Sequence, residues 1–241
     1  SSYGKELRDG TELSGLLKAL ITVPGDYWIR MFYCYPNSFT DEVLEVMASD
    51  PRFCRYLDMP FQHISDPVLK KMNRKITRKE IEATMLRVRR KLPDIAWRTT
   101  FIVGFPTETD QDFEELVDFV SEGHFQHLGI FLYSDEDNIR SSKFGDPIPL
   151  SLKEERKNRL MEIQQKISRE HHQKMVGSLQ QVLVGGFSSE TDLLLEGRNQ
   201  YQGPEVDGVV YINEGNATSA GFHQVEITEA HEYDLVGKIL N

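Results

Sequence analysis

The sequence lacks long apolar runs and is poor in cysteine. No stretch of about 18 consecutive apolar residues occurs among its 241 residues, which argues against a membrane-spanning helix in this sequence. The two cysteines, Cys34 and Cys54, show no CxxC or other metal-ligand spacing, so we predict no metal ligands here. We interpret both as reduced, unreactive thiols of a cytoplasmic protein.

The sequence also lacks an initiator methionine and has few basic residues in its last part. The sequence starts at Ser1 without an initiator methionine, and we expect it to begin inside a longer protein. Basic side chains are almost missing from residues 175–241, which hold ten acidic residues against two basic ones, a net charge of −8. Such a surface repels phosphate and attracts basic proteins, so nucleic acid is an unlikely ligand of this part. The alternative is a solvated surface that only aids solubility.

The most informative segment runs from Ala96 to Thr109 and reads AWRTTFIVGFPTET. A short apolar strand enters a turn at Gly104, and a helix follows with Thr109 and Asp112 as a capping pair. In α/β folds, ligands bind at this carboxyl edge of the strands. Without further signals the segment would fit any plain strand-to-helix connection.

Residues 1–174 repeat the strand-then-helix pattern four times, with strands predicted near residues 27–35, 56–61, 96–103 and 127–133. The helical connections have the length of parallel crossovers, so we predict an α/β domain with a parallel sheet. Four strands are too few for a closed eight-stranded barrel, which indicates a partial (β/α) barrel. A long polar helix from Ser151, with Ser151 and Glu154 as its capping pair, connects this domain to residues 175–241.

From residue 175 onward the sequence pattern changes to five short segments, in which apolar and polar residues partly alternate, separated by glycine-rich turns. Strands at this spacing are typical of a small antiparallel β-barrel of the OB-like kind. We therefore divide the chain into two domains, 1–174 and 175–241.

Polar side chains follow three of the predicted strands and are expected to converge at one edge of the sheet. Arg98 lies within a strand, where a guanidinium needs an anionic partner. That partner is either a ligand carboxylate or, for a structural ion pair, Asp58 on the neighbouring strand. His63 is interpreted as a core histidine ahead of a base or a metal ligand, because no second ligand stands at a suitable spacing.

Three segments in this order, PFQHISDPVLKKMNR, RTTFIVGFPTETDQDFEEL and FLYSDED, resemble the radical-SAM methylthiotransferases after their cluster-binding motif. The last 67 residues resemble the TRAM domain of that family. The tokens YSDED, PEVDGVVYI and HEYDLVG are more similar to the group that modifies a ribosomal protein (RimO-like) than to the tRNA-modifying group (MiaB-like). The family's CxxxCxxC motif and its N-terminal cysteines do not occur in this sequence.

The resemblance implies that the whole enzyme uses S-adenosylmethionine and two [4Fe–4S] clusters, the reactive one held by cysteines upstream of Ser1. It also implies that a methylthio group is added to an aspartate of a basic small-subunit ribosomal protein. The cofactor-binding residues of this chain would be Arg98 for the carboxylate or ribose, Gln62 and Ser65 as hydrogen-bonding groups, and Gly104 for the adenine.

No catalytic residue is expected in this chain, and without the cluster cysteines it should not turn over alone. The family usually has glycine where Ile64 and Thr107 stand. A tRNA methylthiotransferase and a non-catalytic protein-binding module are the alternative functions.

Overall fold

The computed structural model of the chain describes residues 3–4, 12–36, 39–136, 142–215, 217 and 220–240. These residues group into two compact units, 1–161 and 162–241. The predicted domain boundary between residues 174 and 175 stays a prediction: the division at residues 161 and 162 falls within one long helix, Leu150–Gln173, which ends just before the predicted boundary. No described helix is long and apolar enough to cross a membrane.

The first unit is built from four parallel strands and the helices that connect them. The strands pair in the order β1-β2-β3-β4, as predicted for a parallel α/β sheet. The elements are α1 Leu13–Leu20, β1 Ile29–Met31, α2 Asp41–Ser49, β2 Phe53–Asp58, α3 Asp66–Lys71, α4 Arg78–Lys91, β3 Ala96–Val103, α5 Asp110–Ser121, β4 His127–Leu132 and the first part of α6 Leu150–Gln173.

Strand β3 shows how the sheet separates its two faces. Trp97, Thr99 and Phe101 are fully buried, whereas Arg98 and Ile102 on the opposite face are half-exposed. On the buried face, aromatic rings of the sheet pack edge-on or tilted against rings that follow α5, with centroid separations of 5.8 Å for the Phe101–Phe125 pair. Aromatic pairs of this kind add about 0.5–1.5 kcal/mol each to their apolar burial.

Local sequence signals set the starts of several helices. The side chain of Thr40 accepts a hydrogen bond from the Val43 amide at the start of α2. Complete capping boxes begin α4 at Thr77 and α5 at Thr109, which confirms both predicted caps. The predicted box at Ser151 is wrong: α6 begins one residue earlier, because the Pro149 carbonyl already accepts from the amides of residues 152 and 153.

The second unit contains a closed barrel with strand order β5-β6-β7-β9-β8. Its strands are β5 Leu179–Phe187, β6 Leu195–Asn199, β7 Val210–Glu214, β8 Gly221–Ala230 and β9 Leu235–Ile239. Eight buried apolar side chains fill it: Val182, Val184, Val210, Ile212, Val225, Ile227, Leu235 and Ile239.

The barrel is not wholly antiparallel, as the sequence analysis expected, because β7 and β9 pair in parallel. The reason is geometric. Strand direction reverses at each antiparallel pairing, and five reversals around a closed ring cannot return to the starting direction. A closed five-stranded barrel therefore needs at least one parallel pair.

Candidate cofactor site

The strand edge that the sequence marked as functional is shaped first by Pro60. Strand β2 ends at Asp58, and Pro60 has no amide hydrogen to continue the ladder. The hydroxyl of Thr99 on β3 takes over: it donates to the Met59 carbonyl at 2.9 Å and accepts from the Phe61 amide at 3.3 Å. The chain is thereby bent outward but kept against β3.

Gln62 rejoins the sheet directly after this bend. Its amide donates to the Thr100 carbonyl and its carbonyl accepts from the Ile102 amide, both at 2.9 Å. Its φ of 75° lies in the left-handed region, which a non-glycine residue occupies at a cost of about 1–3 kcal/mol. Backbone strain of this kind concentrates at ligand sites, and here the two ladder bonds hold the strained residue in place.

A cavity of about 600 Å³ opens beside Gln62 at the carboxyl edge of the sheet. Its wall combines apolar and hydrogen-bonding side chains from the ends of β2, β3 and β4, as expected for a small-molecule site. The residues that line it are Gln62, Lys71, Met72, Asn73, Arg74, Ile102, Phe105, Leu132, Tyr133, Ser134 and Glu136.

Two polar groups of the cavity wall lack partners among the described residues. Tyr133 is buried, with only 8% of the residue exposed, and its hydroxyl forms no hydrogen bond. Arg74 donates from Nη2 to the Pro60 carbonyl at 2.9 Å, but its buried Nε has no acceptor. No described carboxylate lies within 4.0 Å of this guanidinium, and burial lowers the pKa of Arg74.

The loop that closes the strand edge is organised by the buried carboxylate of Glu108. Its Oε2 accepts hydrogen bonds from the amides of Gly104, at 2.8 Å, and Phe105, at 3.3 Å. Its Oε1 accepts from Nη1 of Arg156 at 2.7 Å, and both side chains are almost fully buried. Arg156 also reaches Asp110 at 2.6 Å, so one guanidinium binds two carboxylates where the loop enters α5, and Glu108 connects this end to the Gly104 amide.

His63 belongs to the same network and is fully buried. Its Nδ1 accepts from the Ser65 amide at 3.0 Å, so the neutral ring carries its proton on Nε2, which lies 3.7 Å from Glu108 Oε2. The Ser65 hydroxyl donates to Asp112. Hydrogen bonds from Ser65 and Thr109 outweigh the opposing effect of burial and lower the pKa of Asp112. The buried Nε2 has no hydrogen-bond partner among the described residues, so the interpretation of His63 as a core histidine stays a prediction.

The four predicted cofactor residues are not all at the cavity. Gln62 lines the cavity, and Ser65 is buried behind it. Arg98 lies near the start of β3, with Nε 4.0 Å from Asp58 Oδ1, at the outer limit of an ion pair. Gly104 stands beyond the other end of β3, about 20 Å away at 3.3 Å per residue. The roles of all four toward the cofactor stay predictions.

The close approach expected at Gly104 is made by a lysine. A Cβ on Gly104 would lie 2.3 Å from Cγ of Lys153, and the φ of this glycine is +74°. The Lys153 ammonium donates to the Tyr133 carbonyl at 2.8 Å, next to the cavity. Ile64, where the family usually has glycine, is fully buried and does not line the cavity.

Sequence reasoning missed Arg74, Glu108, Lys153 and Arg156. Lys153 and Arg156 follow the helical period with Leu160, and these three are the buried positions in the first part of α6. The predicted apolar seam of that helix also included Leu152, which is only half-buried. The available signal was a helical row of cations, which is normally assigned to solvent.

Comparison with known proteins agrees with the two units. Residues 6–120 match the Radical SAM superfamily, and residues 176–240 match the TRAM domain. In fold, the chain is similar to the radical-SAM enzyme coproporphyrinogen III oxidase (HemN) from Escherichia coli, with a TM-score of 0.51 over 78% of this chain and 50% of that one, at 18% identity. The chain thus holds part of a radical-SAM domain and a TRAM domain.

Among curated proteins, it is 49% identical over 245 residues to the ribosomal protein uS12 methylthiotransferase RimO of Bdellovibrio bacteriovorus. The RimO protein of Desulfotalea psychrophila is 45% identical over 241 residues. Both matches cover 100% of this chain and 54% of the relative, so the chain spans about half the length of the curated relatives that it matches. The chain belongs to the radical-SAM methylthiotransferase family, in its RimO-like group.

Proposed function

We propose that the protein carrying this chain is a radical-SAM methylthiotransferase that adds a methylthio group to an aspartate of ribosomal protein uS12. The similarity of the whole of this chain to about half of the RimO proteins supports the reaction and the substrate. The observation that carries the proposal is the cavity at the carboxyl edge of the sheet, in which the half-buried guanidinium of Arg74 has no described carboxylate within 4.0 Å and its buried Nε has no acceptor. A ribosomal substrate also places the enzyme in the cytoplasm.

S-adenosylmethionine fits the groups that line this cavity. Arg74 is half-buried with only the Pro60 carbonyl and the ring of Tyr35, whose centroid is 5.7 Å from its guanidinium carbon, as described partners, and it has no described carboxylate partner to offset the cost of burying its charge. A ligand carboxylate would accept hydrogen bonds from the guanidinium N–H groups of Arg74. The sequence analysis assigned this binding of the cofactor carboxylate to Arg98. The unpartnered Tyr133 hydroxyl and the amide of Gln62 offer hydrogen bonds, and Ile102 and Phe105 offer an apolar wall for an adenine ring.

Arg98 would then serve the ribose or remain paired with Asp58. Gly104 and Ser65 would act through the loop and the helix start that shape the pocket. When bound at a reduced iron–sulfur cluster, S-adenosylmethionine supplies the radical chemistry. The side chains of this chain bind and orient it, and the apolar wall excludes water.

The described residues do not fit an iron–sulfur cluster. No described group of three or more His, Cys, Asp or Glu side chains is placed to hold a metal. Burial raises the pKa of the Cys34 thiol to about 12, which opposes the thiolate form that ligation needs. We therefore propose that both [4Fe–4S] clusters are held by residues of the protein outside this sequence.

The barrel favours a protein substrate over tRNA. A net charge of −8 on residues 175–241 complements a basic ribosomal protein. Three basic side chains of helix α4 already have partners within the protein, which leaves less positive charge for nucleic acid. Arg87 and Arg89 donate to the backbone carbonyls of Phe39 and His124, and Lys91 pairs with Glu45 at 2.9 Å. These contacts weaken the MiaB-like alternative.

The proposal is tested by cofactor binding to the complete protein with its clusters reconstituted. Arg74→Gln should weaken S-adenosylmethionine binding by roughly 10–100-fold, the value of one charged hydrogen bond of about 1.5–3 kcal/mol. Lys75→Gln is the matched control, because it removes one charge from the next residue, which is exposed and does not line the cavity. Calorimetry measures both affinities.

Unchanged affinity in Arg74→Gln, together with lowered thermal stability, would show that Arg74 is structural and that this cavity is not the cofactor site. Failure of the intact protein to bind S-adenosylmethionine would favour the non-catalytic binding module.

A further inference from the structure

The hairpin that joins β5 to β6 carries the most exposed large apolar side chain of the described part of the chain. Leu193 is 89% exposed and Phe187 is 69% exposed. Other described large apolar side chains of this unit are also exposed, such as Leu179 at 57% and Val206 at 44%, but none to the extent of Leu193 or Phe187. Apolar groups left in water on a small, well-packed domain mark interaction surfaces.

The strand register places Phe187 directly opposite Leu195 at the base of the hairpin loop. Phe187 is the cross-strand partner of Leu195, and the Ser188 amide donates to the Leu194 carbonyl at 2.9 Å one step further out. Because directly opposite residues of paired strands share a face, Phe187 and Leu195 lie on the same side of the sheet, and Leu193 lies in the turn just before β6. Leu195 packs against the barrel core, so the exposed Phe187 adjoins the edge of that core.

The loop is held in a defined shape by its own side chains. Ser188 is buried, and its hydroxyl accepts from the Glu190 amide at 3.2 Å. The Thr191 hydroxyl accepts from the Leu193 amide at 3.2 Å. These hydrogen bonds from backbone amides to side chains hold the loop in one shape with Leu193 exposed. A loop that is already ordered loses less conformational entropy when it binds a partner.

Carboxylates lie in the loop beside these apolar side chains and on the opposite face of β6. Glu190 and Asp192 lie in the loop itself, and Glu196 follows on β6. The carboxylates of Glu190 and Glu196 converge on Tyr211 of β7, where, after desolvation, their charges help to raise the pKa of the phenol. The tip therefore combines an apolar anchor with a negative field.

This combination selects one kind of occupant. Phosphate is repelled, which disfavours nucleic acid, and a second copy of the chain would bring its own charge of −8 to the contact. We propose that the β5–β6 hairpin tip, made of Phe187, Leu193 and the flanking Glu190 and Asp192, is the docking anchor for a basic protein segment that also presents an apolar side chain. The proposal rests on the proposed function, in which that protein is uS12.

The test measures binding of purified uS12 to the 241-residue chain by calorimetry and by stopped-flow at two salt concentrations. The double change Phe187→Ser with Leu193→Ser should weaken binding at least 10-fold. Leu179→Ser is the matched control: it is 57% exposed, on the same strand, at the opposite end of the barrel, and should leave affinity unchanged. Glu190→Gln with Asp192→Asn should slow association and flatten its salt dependence.

Equal binding by wild type and the apolar double variant would overturn the docking anchor while leaving the proposed substrate intact. No binding of uS12 by the wild type would overturn both. Loss of tRNA binding or of self-association in the double variant, with uS12 binding retained, would also overturn the inference. Circular dichroism of each variant shows that the barrel is still folded.

Discussion

The contact between Gly104 and Lys153 predicts how much Gly104→Ala lowers the free energy of unfolding. In Gly104→Ala the new methyl would lie 2.3 Å from Cγ and 2.7 Å from Cδ of Lys153. Positive φ alone costs alanine about 1–2 kcal/mol. Displacing the lysine also breaks its bond to the Tyr133 carbonyl and leaves buried polar groups unpaired, a further cost of about 1–3 kcal/mol.

Gly123 provides the matched control, because its φ is also +74° but no atom lies within 4 Å of its ideal Cβ. Gly123→Ala should therefore lose only the conformational cost of about 1–2 kcal/mol. The difference between the two variants, about 1–3 kcal/mol, isolates the collision with Lys153 and the bond that it breaks.

Urea unfolding followed by tryptophan fluorescence measures this difference. Both tryptophans, Trp28 and Trp97, lie in the first unit, so the signal reports on that unit alone. In a Lys153→Ala background the extra cost of Gly104→Ala should largely vanish, as a double-mutant cycle shows. Equal losses for Gly104→Ala and Gly123→Ala would refute the reasoning.

Three further predictions concern buried ionisable groups. Glu108→Gln should destabilise the first unit by about 3 kcal/mol, because it leaves Arg156 without its buried partner, whereas Glu114→Gln, in the exposed pair with Arg159, should cost less than about 1 kcal/mol by urea unfolding. The native Cys34 thiol, with its pKa near 12, should resist a thiol reagent at pH 8 and react only after unfolding. The lowered pKa of Asp112 stabilises the fold above the unfolded value of about 3.9 and is lost as the pH falls through the lower folded value. Wild type should therefore lose more stability than Asp112→Asn between pH 5 and acid pH, measured by thermal unfolding at each pH; parallel curves would show that Asp112 does not contribute.

Much of the fold follows from local signals in the sequence. Thr77 and Thr109 cap the helices that they were predicted to cap, and the parallel order of the first sheet follows from strand–helix alternation. The parallel β7–β9 pair did not follow from alternation of polar and apolar residues, which says nothing about which strands become neighbours. The odd number of predicted strands carried that information, once closure of the barrel was assumed.

The candidate site was less predictable, because its residues are brought together from distant parts of the chain. Gln62 stood out beside a proline that breaks a strand. Arg74 did not, since an arginine in a basic stretch after a short helix is normally solvated, and its desolvation depends on a cavity that only the folded chain forms. Lys153 and Arg156 were missed for the same reason: their partners Gly104 and Glu108 lie about 50 residues away.

The most direct test of the account is mass spectrometry of uS12 from cells of the source organism. Deleting the gene that encodes this chain should remove a methylthio group from one aspartate of uS12, and the wild-type gene and the Lys75→Gln variant should restore it. The Arg74→Gln variant should restore it only weakly. A uS12 protein without the methylthio group in wild-type cells, or one that keeps it in the deletion strain, would contradict the account, and a methylthio group lost from tRNA instead would identify the tRNA-modifying alternative.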